Sequence, residues 1–172
     1  MKKNTRYILW AIFALYCLFV AYMVFLRRGF RTQYTYEYYF KYFTNFVPFK
    51  TVENYIMLFK NGMRALSIFN LLGNFVLFLP MGMLLPCVFP KLYRFWKTML
   101  CILIMVVLVE ITQFVLRVGI IDVDDVIFNL CGAMIGYGII KIPFMNKILQ
   151  QISFLDIKEE NKNDERTEEN TE

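Results

Sequence analysis

Four long apolar stretches constrain the fold of this chain more than any other feature. They cover residues 7–26, 66–89, 98–116 and 126–142. A helix needs about 20 mostly apolar residues to cross the hydrocarbon core of a bilayer, within a range of about 17–25. Because each stretch meets this requirement, we predict an all-α, polytopic membrane protein built as a four-helix transmembrane bundle.

The composition supports a membrane protein over a soluble one. Hydrophobic residues make up 58% of the 172 residues and charged residues 19%, whereas soluble domains average about 45–50% and about 25%. The net charge is +5, but the basic residues flank apolar stretches, so nucleic acid is not a predicted partner. The chain has no His, which excludes the commonest general base. Its four Cys lie in or beside apolar stretches, so we predict buried thiols, no metal site and no resident cofactor.

The first stretch has the basic start of a secretory signal peptide, but it is longer than a signal h-region. It also runs directly into Arg27 and Arg28 without a small-residue cleavage site. We therefore predict a retained anchor.

Lys and Arg counts predict the orientation in the membrane. The N-terminus has three basic residues in its first six, and residues 90–97 have three without an acid. Residues 117–125 have one Arg and three Asp. Since basic residues concentrate in cytoplasmic loops, both termini are predicted to be cytoplasmic in a multi-pass protein of the cell membrane.

The long connection over residues 27–64 is unusually aromatic, with eight Tyr and Phe between positions 34 and 46. Such rings favour the headgroup level of a bilayer, so we predict short interfacial helices here, and membrane lipids as partners. Residues 1–155 form the predicted transmembrane domain. Residues 156–172 contain eight acidic and three basic residues, which predicts a disordered acidic tail.

The polar residues of the apolar stretches lie at one depth. The start of the second stretch, the end of the third and the start of the fourth share one leaflet in an alternating bundle. At about 1.5 Å per residue, these side chains fall within roughly 12 Å of the same membrane surface. Spacings of three, four and seven also give each helix one polar face. We predict a shared polar pocket with these candidates: Asn70, Asn74, Glu110, Gln113, Arg117, Asp122, Asp125 and Asn129.

Structural roles compete with this interpretation. Asp122 and Asp125 have the spacing of a helix N-cap and an acidic N3 residue, and the Asn residues could hydrogen-bond between helices. Glu110 is the exception, because an intramembrane carboxylate is by default a functional candidate. Four further residues in the second and fourth stretches are predicted to shape or pack the helices: Pro80, Gly82, Gly132 and Gly136.

Several blocks of sequence, in order, give the chain a resemblance to a known family. They are 45–50 (NFVPFK), 74–82 with Pro80 and Gly82, Glu110 with Gln113, and 122–132 followed by Gly136. Together they resemble the VanZ-like family of small bacterial membrane proteins, named for a protein associated with teicoplanin resistance. The resemblance implies lowered susceptibility to lipid-tailed glycopeptides; it supplies no catalytic residue.

Three functions remain open from the sequence. An outward-facing pocket could bind a lipid-linked envelope precursor or a lipoglycopeptide, with phospho-groups attracted to Arg27, Arg28, Arg31 and Arg117. Alternatively, an intramembrane enzyme could act on a lipid phosphate or glycan. Glu110 would then be the base, and Asp122 and Asp125 would be acids or ligands of a divalent metal. Finally, the chain could be a structural partner in an envelope complex. A transporter is least favoured, and the sequence does not predict an oligomeric state.

Overall fold

The computed structural model describes residues 3–27, 29–62 and 64–143, with only the backbone described at residues 3–6 and 64–71. Within these ranges the chain is mainly helical. The helices are α1 (Lys3–Ala21), α2 (Tyr36–Tyr42), α3 (Lys50–Lys60), α4 (Arg64–Val88), α5 (Phe95–Leu116) and α6 (Val123–Lys141). A π-helical turn, Tyr22–Leu26, extends α1, and a 3₁₀ turn, Pro90–Leu92, connects α4 to α5.

Each of the four apolar stretches forms a helix. Three segments are long and apolar enough to cross a membrane: Tyr7–Leu26, Phe95–Leu116 and Val123–Lys141, with mean hydropathies of 2.4, 2.6 and 1.5. The helical class is therefore confirmed, and three of the helices have the length and hydropathy that a membrane span requires. Within α4, the apolar part is the shorter Leu72–Val88, so the number of spans stays a prediction.

The centre of the fold is the contact between α4 and α6, which is the most extensive between any two of the described elements. Glycines bring the two backbones together. A Cβ placed on Gly132 would lie 2.0 Å from the carbonyl oxygen of Phe75, and one on Gly136 would lie 1.9 Å from that of Leu79. From α4, a Cβ on Gly82 would lie 2.0 Å from the carbonyl oxygen of Ala133. The small-xxx-small spacing in α6 therefore lies at a close helix crossing.

Helix α1 packs at the edge of this core. Only 11% of its apolar segment is buried, so most of its side chains face outward, as lipid-facing side chains would. Tyr16 attaches it to α4 by donating a hydrogen bond to the carbonyl oxygen of Leu77 at 2.6 Å. Two prolines, Pro80 and Pro86, lie inside α4, where each removes a backbone donor from the helix.

The connection from α1 to α4 contains α2, α3 and a two-residue strand, β1 (Thr44–Asn45). This strand pairs in parallel with β2 (Ile121–Asp122), placing Thr44 opposite Ile121 and Asn45 opposite Asp122. The predicted short helices of this connection are therefore present, and their position at the membrane surface stays a prediction. The predicted acidic tail lies outside the described residues.

Candidate functional site

The aromatic connection is attached to the turn that joins α5 to α6. Tyr39 of α2 is fully buried, and its hydroxyl lies 3.2 Å from the carbonyl oxygen of Val118 and 3.1 Å from that of Gly119. The backbone N–H of Arg31 donates to the carbonyl oxygen of Arg117 at 2.8 Å. Polar contacts thus fix this connection over one end of the bundle.

Asp122 joins three parts of the chain. Its Oδ1 accepts hydrogen bonds from Asn45 Nδ2 and from the backbone N–H of Asp124, both at 2.9 Å. The second bond makes Asp122 the N-cap of α6. Its Oδ2 accepts a short hydrogen bond from the Thr51 hydroxyl. The capping role weighed for this residue is therefore present, together with two contacts to the aromatic connection.

Asp124 caps a different helix. Its two carboxylate oxygens accept hydrogen bonds from the backbone N–H groups of Phe49, at 2.6 Å, and Thr51, at 2.9 Å. These donors lie at the start of α3, where Phe49 has a φ of 65°. Because Asp124 is only 1% exposed, it is a buried carboxylate held by charge-assisted hydrogen bonds. Asp124 was not among the predicted pocket residues, because its partners lie 73–75 positions away and no local spacing indicates them.

A polar cavity of about 460 Å³ lies beside these aspartates. Its walls come from five parts of the chain: residues 31–45, α3, α4, the turn that leads into α6, and the first turn of α6. The lining residues are Arg31, Tyr42, Thr44, Asn45, Lys50, Thr51, Asn54, Tyr55, Asn74, Gly119, Ile120, Asp122 and Asp125. Pockets for small ligands typically measure about 300–1,000 Å³, so this cavity is large enough for one.

Three of the predicted pocket residues, Asn74, Asp122 and Asp125, line the polar cavity. Asp122 is already supplied with hydrogen-bond donors, whereas Arg31 and Lys50 add two cations to the wall. The cavity thus presents charges of both signs, amides and hydroxyls, which suits a polar headgroup rather than a purely apolar molecule.

An apolar groove of about 360 Å³ lies on the other side of β2. Its polar wall residues are Glu110, which is 8% exposed, and Asp122, which also lines the polar cavity. The remaining lining residues are apolar: Phe40, Phe46, Val107, Ile111, Phe114, Ile121, Val123 and Val126. Four of the predicted pocket residues are therefore divided between two compartments: Asn74 and Asp125 line the polar cavity, Glu110 lines the groove, and Asp122 lines both.

Two further predicted pocket residues, Gln113 and Arg117, line neither compartment and instead connect separate parts of the chain. Gln113 is 1% exposed and donates through Nε2 to the carbonyl oxygen of Val24, at 3.2 Å, in the π-helical turn. Arg117 donates through Nη1 to the carbonyl oxygens of Thr32 and Tyr34, at 3.2 and 2.5 Å. Its guanidinium also lies over the ring of Tyr36, with Cζ 4.6 Å from the ring centroid. Arg117 therefore orders the aromatic connection.

The last two candidates lie on the helices that form the centre of the fold. Asn129 of α6 is 5% exposed, and its Oδ1 accepts no hydrogen bond from the part of the chain that the structure describes. Asn70 belongs to α4, and its side chain lies outside the described residues.

The arrangement also bears on the predicted metal alternative. Across the ranges that the structure describes, no three Cys, Asp or Glu side chains gather closely enough to hold a metal ion. Both oxygens of Asp122 and both oxygens of Asp124 accept hydrogen bonds instead. These carboxylates support helix starts and loop contacts in this structure.

Comparison with known proteins places the chain in a family. A family model described as VanZ/LLP1 matches residues 13–146. The chain is similar to Protein VanZ of Enterococcus faecium, with 30% identity over 118 residues that cover 62% of this chain and 73% of that protein. No solved structure matches the chain. Since the family model spans well over half of the sequence, including every residue that lines the two compartments, the chain belongs to the VanZ family.

Proposed function

We propose that this protein is a binding protein of the bacterial cell membrane that lowers susceptibility to lipid-tailed glycopeptides such as teicoplanin. It does so by holding a lipid-linked envelope precursor or a lipoglycopeptide in the polar cavity. The observation that carries the proposal is a cavity of about 460 Å³ lined by amides, hydroxyls and charges, with Tyr42 and Tyr55 among its lining residues. Membership of the VanZ family supports the link to teicoplanin.

The basic residues support an outward-facing cavity. The cavity lies at the end of the bundle where α5 leads into α6, with Asp122 before α6 and Asp124 and Asp125 in its first turn. The turn between α4 and α5 carries Lys91 and Arg94, and Lys97 follows in the first turn of α5. The positive-inside tendency assigns the basic end of α5 to the cytoplasm, so the cavity opens to the exterior, where glycopeptides act.

Susceptibility to teicoplanin tests the proposal. Deletion of the gene should increase killing, and the wild-type gene should restore resistance. Asn54→Trp places a large ring at the cavity wall, so it should restore little resistance at equal expression. Glu53→Trp is the matched control, because Glu53 is exposed on the same helix and does not line the cavity; it should restore resistance fully.

A glycopeptide without a lipid tail provides the second control, and its activity should not change in any of these strains. An unchanged response to teicoplanin in the deletion strain would remove the proposed function. Equal rescue by Asn54→Trp and the wild-type gene would remove the cavity from it.

The intramembrane enzyme has less support. Asp122 was a candidate acid or metal ligand, but its carboxylate is engaged by Asn45, Thr51 and the start of α6. Asp125 lines the polar cavity, whereas Glu110, the candidate base, lines the apolar groove, so the candidate acid and base of this alternative lie in different compartments. Incubation of the purified protein with envelope lipids and Mg²⁺ or Mn²⁺ decides the matter, because only an enzyme consumes its substrate.

A further inference from the structure

We infer that the polar cavity and the apolar groove form one site for a phosphate-bearing membrane lipid with a hydroxylated headgroup. The headgroup occupies the polar cavity, and one hydrocarbon chain lies in the groove. This inference rests on the proposed function and names the class of its ligand: a lipid of the envelope rather than the glycopeptide itself.

The two compartments are separated by β2 and joined at its end. Successive residues of a strand point to opposite faces, and here Ile120 and Asp122 line the polar cavity while Ile121 lines the groove. Asp122 lines both compartments and is fixed by hydrogen bonds from Asn45 and Thr51. Asp122 thus provides a fixed polar group at the position where the headgroup of a bound lipid would join its hydrocarbon chain.

The polar cavity has the groups that a phosphate and hydroxyls require. Arg31 and Lys50 provide the cations, and Arg31 is held in place because its Cζ lies 4.3 Å from the centroid of the Phe43 ring. An anion already occupies the start of α3, since Asp124 accepts from the backbone N–H groups of Phe49, just before the helix, and of Thr51. Side chains must therefore bind the phosphate. Asp125 lies in the same wall, where its carboxylate suits headgroup hydroxyls.

The groove has the surroundings that a hydrocarbon chain requires. Phe40 and Phe46 cover it from the aromatic connection, and Val107 and Ile111 of α5 form its floor. These two α5 residues are 40% and 54% exposed, so the groove opens on the flank of a predicted transmembrane helix. A chain can enter it sideways from the outer leaflet while its headgroup stays at the membrane surface.

Native mass spectrometry of the purified full-length protein tests the site. The probes are dipalmitoyl phosphatidylglycerol, its dihexanoyl form and a neutral glucosyl diacylglycerol with palmitoyl chains. We expect the long-chain phosphatidylglycerol to bind most tightly. Lys50→Gln should weaken its binding about tenfold, the effect of losing one charge-assisted hydrogen bond. Lys60→Gln is the matched control, since Lys60 ends the same helix and does not line the cavity.

A second pair of variants tests the groove. Val107→Trp should fill it and weaken binding of the dipalmitoyl lipid about tenfold, while binding of the dihexanoyl lipid changes less. Leu108→Trp is the control, because Leu108 is exposed on α5 outside the groove. Thermal unfolding verifies that each variant is folded, and Ile111→Trp replaces Val107→Trp if the latter is not.

Three results would overturn the inference. They are equal binding of phosphatidylglycerol and the neutral lipid, equal binding of phosphatidylglycerol by Lys50→Gln and Lys60→Gln, and unchanged binding of the dipalmitoyl lipid by the groove variants. The teicoplanin assay on the same variants separates this failure from that of the proposed function. Lost lipid binding with unchanged susceptibility would overturn the proposed function and leave the lipid site. Altered susceptibility without lipid selectivity would overturn the lipid site and leave the proposed function.

Discussion

Asp124 is the buried side chain that connects the start of α6 to the start of α3. Its carboxylate is acceptor-only, and two backbone N–H groups point at it. An amide in the same place would turn one acceptor into a donor that faces another donor. The wall of the polar cavity formed by Lys50 and Thr51 follows directly from this contact.

We predict that Asp124→Asn lowers the free energy of unfolding by about 2–3 kcal/mol, because a charge-assisted hydrogen bond is lost and a buried donor is left unsatisfied. Chemical unfolding of the protein in detergent measures the effect. Asp125→Asn is the neighbouring control and should change stability by less. Equal stabilities of the two variants would mean that Asp124 does not hold α3.

A substitution of Glu110 distinguishes the proposed binding function from a purely structural role. Glu110→Gln keeps the side-chain size and one acceptor oxygen but removes the acid from the groove. We expect the folded yield to stay at the wild-type level while protection against teicoplanin falls. Size-exclusion chromatography and a susceptibility assay measure the two quantities. A lower folded yield, with normal protection per folded molecule, would instead favour the structural partner.

At the scale of elements, the approach of α4 to α6 holds two walls of the polar cavity together, since α4 provides Asn74 and α6 provides Asp125. Gly136→Ala would put a Cβ 1.9 Å from the carbonyl oxygen of Leu79, so the helices would have to separate. We predict a loss of about 1–3 kcal/mol of stability, the usual range for overpacking. Gly138→Ala is the control on the same helix, because nothing lies within 4 Å of its added Cβ. A thermal unfolding series that ranks the two variants equally would contradict this contact.

The helices could be predicted from the sequence, because each apolar stretch encodes its own length and hydropathy. Depth could also be predicted, but depth does not fix the direction in which a helix faces across the bundle. That is why Glu110 and Asn74, predicted to share one pocket, line different compartments. The cations of the polar cavity come from residues 31–50, whose fold depends on contacts with Asp122 and Asp124 far along the chain. Spacing within the sequence carries no signal for such contacts.

At the scale of the whole molecule, the two connections that flank α5 carry opposite charges. Lys91 and Arg94 lie between α4 and α5, with Lys97 in the first turn of α5, whereas Asp122 lies between α5 and α6, with Asp124 and Asp125 in the first turn of α6. The apolar part of α4, Leu72–Val88, is shorter than the three segments long enough to cross a membrane. If α4 crosses the membrane, residue 91 and α3 lie on opposite sides and the chain has four spans. If α4 does not cross, they lie on the same side and the chain has three.

We predict that α4 crosses and that both termini are cytoplasmic. Single cysteines at positions 61 and 91, in a chain whose Cys17, Cys87, Cys101 and Cys131 are replaced by Ser or Ala, test this in intact cells. A membrane-impermeant maleimide should label Asn61→Cys directly and Lys91→Cys only after the cells are opened. Labelling of both positions from outside would mean that α4 returns to the exterior face. Labelling of Lys91→Cys alone would place the polar cavity in the cytoplasm, where a ligand of the outer leaflet could not reach it.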